Sequence, residues 1–257
     1  MNKILNQLAL SIPIEYKKKL KSAYESTFAR TNYQRLAVIG HARTGSNFLL
    51  DGLGTSNAIK MYHEIFAGHN REIGQDFERI FATLYEKQPR NIKIVGFKLF
   101  YYHLTEQEWN DFLFHDEFSI IHIIRKNKLR TIASLDIAFK TKQWSADKKS
   151  EILRNNKNTI LDTSQLMQRL EKIENYEDLT RKRFQKRSYL EINYEDLVSM
   201  PSETFSRISS YLNIEDIDYK KTKLKKQNPE SLQDLIVNYD EVAQLLKNTR
   251  FEDYLNS

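Results

Sequence analysis

The chain contains no cysteine, which excludes disulfides, thiolate metal sites and cysteine nucleophiles. Glycine (7) and proline (4) are scarce among its 257 residues, and no Gly/Pro-rich stretch marks a linker, so one domain over 1–257 is expected. No window approaches the roughly 20 apolar residues that span a bilayer. Asn6 and Gln7 interrupt the apolar run after Lys3, and no small-residue cleavage site follows. Neither a transmembrane segment nor a signal peptide is therefore expected, and a cytoplasmic location is the default. The 6 histidines fall at no zinc-binding spacing, and no metal is expected. Also missing is Gly-x-x-x-x-Gly-Lys-[Ser/Thr], the loop of ordinary ATP and GTP hydrolases.

What is present is an alternation of strand-like and helix-like runs. Residues 1–33 suggest a helical N-terminal extension, with Leu20, Tyr24 and Phe28 on one face that suits packing on the domain or on a second subunit of a homo-oligomer. Strands are expected at Leu36–Ile39, Ala58–Met61, Ile92–Leu99, Phe118–Ile124 and Tyr189–Asn193. Helices are expected at Asn47–Gly54, Ile73–Glu86, Gln107–Phe114, Leu129–Phe139, Lys148–Phe184 (as two helices) and Phe205–Leu212. Such alternation predicts an α/β fold with a P-loop-like, mainly parallel central sheet flanked by helices on both faces.

The apolar run ending at Ile39 leads into Gly40-His41-Ala42-Arg43-Thr44-Gly45-Ser46-Asn47 and at once into an amphipathic helix. Backbone N–H groups at a helix start are unpaired and partially positive, so they gather anions. Arg43, Thr44, Ser46 and Asn47 add side-chain donors, and a phosphate or a close relative of one is the expected ligand. A second cationic cluster, Arg125, Lys126, Lys128 and Arg130, follows the run ending at Ile124. It opens a helix, where the helix dipole disfavours cations, so a bound anion is expected there too.

These pieces together resemble sulfotransferases that use 3′-phosphoadenosine 5′-phosphosulfate (PAPS). The closer likeness is to the bacterial branch that includes trehalose 2-sulfotransferase and nodulation sulfotransferases, and it extends from about Leu36 to about Leu255. The resemblance implies that the loop from Arg43 through Thr44, Gly45 and Ser46 to Asn47 holds the 5′-phosphosulfate. It implies that Glu64, in Tyr62-His63-Glu64-Ile65-Phe66, is the general base for an acceptor hydroxyl, with His63 as second choice for that task. Gly96-Phe97-Lys98 matches the branch's strand end, which would aim Lys98 at the sulfate or the acceptor, or leave it to snorkel to water. Arg125 and Ser134 would bind the nucleotide's 3′-phosphate. Two adjacent basic residues open that motif, and Lys126 competes with Arg125 for the role.

Lys225, Lys226 and Gln227 would close over the same phosphate, unless they form a solvated basic loop. The stretch Lys140-Thr141-Lys142-Gln143-Trp144 keeps the branch's Trp but replaces its Gln and Gly with lysines; Trp144 is a candidate wall for a sugar acceptor or a core residue. Tyr194-Glu195-Asp196-Leu197 has a structural reading, with Glu195 or Asp196 capping the following helix. The implied activity is in-line sulfuryl transfer from PAPS to a hydroxyl of a carbohydrate or glycolipid, without a metal.

Two rival readings stand beside it. A P-loop-type nucleotide kinase or phosphotransferase shares the strand–loop–helix start but lacks its lysine signature. A non-enzymatic nucleic-acid binder draws on the net charge of +6 and on basic clusters such as Arg181-Lys182-Arg183. Those clusters lie on separate segments among acidic residues, and no nucleic-acid partner is expected.

Overall fold

The computed structural model describes residues 30–71, 77–115, 117–144, 157–215, 217–222 and 230–256, with the backbone alone for Phe114. The elements follow in chain order as β1 (Gln34–Gly40), α1 (Ser46–Leu53), β2 (Ile59–Tyr62), α2 (Phe77–Leu84), β3 (Ile94–Phe100), α3 (Glu106–Phe114), β4 (Phe118–Ile124), α4 (Lys128–Thr141) and α5 (Thr163–Phe184). Then come β5 (Tyr189–Asn193), α6 (Tyr194–Ser199), α7 (Pro201–Leu212), α8 (Leu232–Leu235) and α9 (Tyr239–Leu246). The strands form one sheet in the order β2-β3-β1-β4-β5, and each pairing is parallel. The expected α/β architecture with a parallel sheet is what the chain adopts.

The period of two along a strand sorts its side chains between two layers. Leu36 and Val38 of β1 point to one face, where Leu49, Leu50 and Leu53 of α1 and Phe205, Ile208 and Leu212 of α7 cover them. Ala37 and Ile39 point to the other, against α2, Trp109 and Phe112 of α3 and Phe184 of α5. A third cluster joins α4, α5 and α9 through Leu129, Ile132, Leu166, Leu170, Val242 and Leu246. Burial on both faces is why β1, β3 and β4 are nearly continuous apolar runs. The second face is largely aromatic. Phe112, fully buried, has the rings of Phe77, Phe97, Trp109, Phe118 and Phe184 around it at centroid distances of 4.9–6.3 Å.

Four expectations need correction or restriction. Residues 1–29 of the N-terminal extension lie outside the described residues, and 30–33 are not helical: Arg30 forms an antiparallel bridge with Gln88. The helix expected over Ile73–Glu86 is described only as Phe77–Leu84, with 72–76 outside. Of the helical region expected over Lys148–Phe184, residues 148–156 lie outside the described residues, and 157–162 are not helical. Thr159 pairs there with Ile236, and the helix starts only where the Asp162 side chain accepts the Ser164 N–H. Neither Glu195 nor Asp196 caps a following helix: both lie in the first turn of α6, and the N-caps of α6 and α7, Asn193 and Met200, make no side-chain cap bond. The Glu195 carboxylate accepts the backbone N–H groups of Lys126 and Asn127 instead, at 3.0–3.5 Å.

His122 of β4 is fully enclosed and hydrogen-bonded to the hydroxyls of Tyr101 and Tyr189, each at 2.6 Å. Glu191 lies 3.4 Å from its Nδ1. Burial pushes its pKa below the ordinary histidine value, and Arg181 and Lys128 push the same way against Glu191. The folded state thus holds His122 neutral, while the unfolded chain takes up a proton below about pH 6.5. The unfolded state then binds more protons, and stability is lost as pH falls through that value.

Two outcomes are expected. Phe112→Ala should lower the unfolding free energy by about 3–5 kcal/mol in chemical denaturation, since the surrounding rings cannot collapse into the void; a loss under about 1 kcal/mol would show that this layer repacks. The melting temperature should fall from pH 7 to pH 5, and His122→Gln should flatten that slope. An unchanged slope in the variant would place the acid sensitivity elsewhere.

Candidate active site

The site lies at the carboxyl ends of β1, β3 and β4, beyond the edge where the chain reverses its direction of travel across the sheet. In open parallel sheets this is where ligand crevices form. The turn after β1 is shaped by two left-handed residues, Arg43 (φ 69°) and Gly45 (φ 84°). At Gly45 no other residue fits, because a Cβ would meet Cδ2 of Tyr194 at 2.4 Å. The Thr44 hydroxyl donates to the carbonyl of His41 at 2.8 Å and closes the turn from beneath. Gly45 is the N-cap of α1 and offers no side-chain cap, so the first-turn N–H groups of α1 face the crevice without one.

Arg43, Gly45, Ser46, Asn47, His63, Glu64, Lys98, Arg125, Ser134 and Trp144 all line one cavity of about 990 Å³. Ten residues singled out from motifs spread over about a hundred positions thus converge on one place. Thr44 is buried under the loop instead of lining it. Lys225, Lys226 and Gln227 lie outside the described residues.

On one side of the cavity, Lys98 reaches from the end of β3 with 2 % of its surface exposed. Its Nζ pairs with Glu64 Oε1 at 2.7 Å and donates to Asn47 Oδ1 at 2.6 Å. Burial lowers the Lys98 pKa, and Glu64 opposes that shift. Burial and the Lys98 charge also lower the pKa of His63. The snorkelling alternative for Lys98 is therefore replaced by a buried link between Glu64 and the loop.

On the other side stand two guanidiniums. Arg43 Nε donates to the Ser134 hydroxyl at 3.0 Å, and its Nη1 to the Trp144 carbonyl at 2.8 Å. Arg125, 6 % exposed, stacks over the Tyr194 ring at 4.5 Å and donates to the Arg43 carbonyl at 3.3 Å. It pairs with no carboxylate among the described residues, and its buried Nε has no hydrogen-bond partner. Burial lowers both arginines to about 10, and Arg125 adds to the effect on Arg43. Lys126, in contrast, has a side chain 60 % exposed, paired with Asp196 at 3.6 Å, and does not line the cavity. Of the two adjacent cations, the structure turns Arg125 inward.

Several lining residues escaped the sequence reading: Tyr102, His103, Phe139 and Tyr194. Tyr194 carried a signal, since it directly follows a strand that ends at the same edge as β1 and β4. His103 carried none, because its place depends on a turn after β3. The arrangement offers a helix start, the buried Arg125 and the half-buried Arg43 to an anion, and a carboxylate held by a lysine to a group that must lose a proton.

Residues 104–241 match the Stf0 sulphotransferase family; Arg125, Ser134 and Tyr194 fall inside this region, while Arg43, Glu64 and Lys98 precede it. No curated protein matches the chain in sequence. Among solved structures, a sulfotransferase from Alicyclobacillus acidocaldarius is 15% identical, with a TM-score of 0.50 over 89% of this chain and 96% of that one. The sulfotransferase domain of the Synechococcus PCC 7002 olefin synthase is 14% identical over 86% of this chain and 90% of that one, with a TM-score of 0.46. Mouse sulfotransferase SULT7A1 complexed with PAP is 14% identical over 92% of this chain and 79% of that one, with a TM-score of 0.47. The family match covers more than half of the 257 residues, and the chain belongs to the Stf0 sulphotransferase family.

Proposed function

We propose that this enzyme moves a sulfuryl group from PAPS to a hydroxyl of a carbohydrate or glycolipid, and that the chain works as one catalytic domain. The observation that carries the donor assignment is Arg125. A guanidinium this buried, with an Nε that no described residue satisfies, loses much of its hydration, and a bound anion replaces it. The uncapped start of α1 supplies a second anion site across the same cavity. Two such sites suit a nucleotide with a phosphate at each end.

In this reading Arg125 and Ser134 hold the 3′-phosphate, and Arg43 with the N–H groups of Gly45–Asn47 holds the phosphosulfate. PAPS supplies the activated sulfuryl group. Glu64 takes the proton of the acceptor hydroxyl while its oxygen bonds to sulfur and the S–O bond to the 5′-phosphate breaks. Lys98 orients that carboxylate and, through Asn47, ties it to the loop that carries the leaving group's charge. Arg43 offsets the negative charge that grows on the departing oxygen. As in phosphoryl transfer, positioning and electrostatics dominate. His63 remains the weaker choice as base, because no described residue orients its ring as Lys98 orients Glu64.

Calorimetric titration with the desulfated nucleotide, PAP, tests the donor site. Arg125→Ala should weaken PAP binding by about 10- to 100-fold, while Lys126→Ala stays within about threefold; equal effects would remove the assignment. Transfer of radiolabelled sulfate from PAPS tests the base. Glu64→Gln should cut kcat by about 10²–10⁴-fold with PAP affinity preserved, and a wild-type rate in that variant would refute the role.

A further inference from the structure

The acceptor side of the cavity holds a histidine that neither donor binding nor proton removal uses. His103 lies just beyond β3, lines the cavity with Glu64 and Lys98, and is half-buried. Its Nδ1 accepts the backbone N–H of Phe100 at 3.2 Å. An imidazole nitrogen that accepts carries no proton, so in the neutral ring the proton sits on Nε2. Nε2 has no hydrogen-bond partner among the described residues. The ring is fixed between those of Phe100 and Tyr102, at centroid distances of 4.9 and 5.4 Å.

Arg71 fixes the His103 backbone. Its Nη2 donates to the His103 carbonyl and its Nε to the Phe66 carbonyl, both at 2.9 Å, while Glu108 holds the guanidinium from behind. One side chain thus ties the loop that carries Glu64 to the loop that carries His103.

Resting on the sulfotransferase reading above, we infer that His103 recognises the acceptor: its Nε2–H donates to a neutral oxygen of a polyhydroxylated substrate, next to the hydroxyl that Glu64 deprotonates. Burial holds its pKa down to about 4; Lys98, His69 and Arg71 push the same way and Glu64 opposes them. The ring is therefore a neutral donor at physiological pH. It is not a base: Nε2 already carries the ring proton, and freeing it to accept would move that proton to Nδ1 and break the Phe100 hydrogen bond.

The experiment measures sulfate transfer from radiolabelled PAPS to trehalose and to methyl glucoside between pH 5.5 and 8.5, with PAP titrations alongside. The variants are His103→Asn, which keeps an acceptor near the Phe100 N–H, and His103→Phe, which keeps the ring. Both should raise the KM for the sugar by about 3- to 10-fold, with kcat and PAP affinity within about twofold and the pH profile unmoved. A fall in kcat with loss of the acidic limb would make His103 a base and overturn the inference. An unchanged KM in both variants would overturn it too. If wild type binds PAP but sulfates neither sugar, the carbohydrate reading fails, and the role of His103 fails with it.

Discussion

A buried guanidinium without a carboxylate is tolerable only where the fold fixes it in place and leaves one direction open to an anion. Arg125 meets both conditions. Lys128 donates from Nζ to the Arg125 carbonyl at 2.7 Å and pairs with Glu177 of α5 at 2.9 Å, both deep in the protein. Glu195 takes the next two N–H groups. Tyr194 lies against the guanidinium and, on its other contact, against Gly45. The cation and the loop glycine are thus packed against one ring, that of the first residue of α6, so the two ends of the proposed donor site are mechanically one unit.

Lys98 plays the matching part on the other side. Because it is buried, its charge must be satisfied within reach, and Glu64 and Asn47 are the two groups that do so. The proposed base is therefore tied to the proposed donor loop: one ammonium holds both. Arg71 extends the same logic outward by joining the loops after β2 and β3 through two backbone carbonyls. The cavity wall is built from strand ends cross-braced by cations, and strand ends are its most rigid support.

Much of this was legible from residues alone. The apolar run at Leu36–Ile39, the turn at Arg43–Asn47 and the basic start of α4 depend on local chemistry, and each stands where it was expected. The misses have a common cause. Glu195 and Asp196 read as caps of the following helix because capping is a local rule, yet the Glu195 carboxylate serves a turn about 70 residues earlier. The helix expected upstream of α5 is absent at 157–162, where Thr159 finds a partner at Ile236. Tyr194 and His103 were passed over because a ring's role depends on what folds against it.

The sequence by itself determined the alternation of elements, the parallel sheet and the loop that opens α1, since continuous apolar runs and helix starts are properties of neighbouring residues. Only the tertiary structure decided which of Arg125 and Lys126 faces inward, that Lys98 joins Glu64 to Asn47, and that His103 reaches the cavity. Those outcomes follow from strand register: Val38 of β1 lies opposite Lys98, and Gly40 opposite Ile123 just before Arg125. Register is set by pairings between distant segments, and a linear chain does not state them.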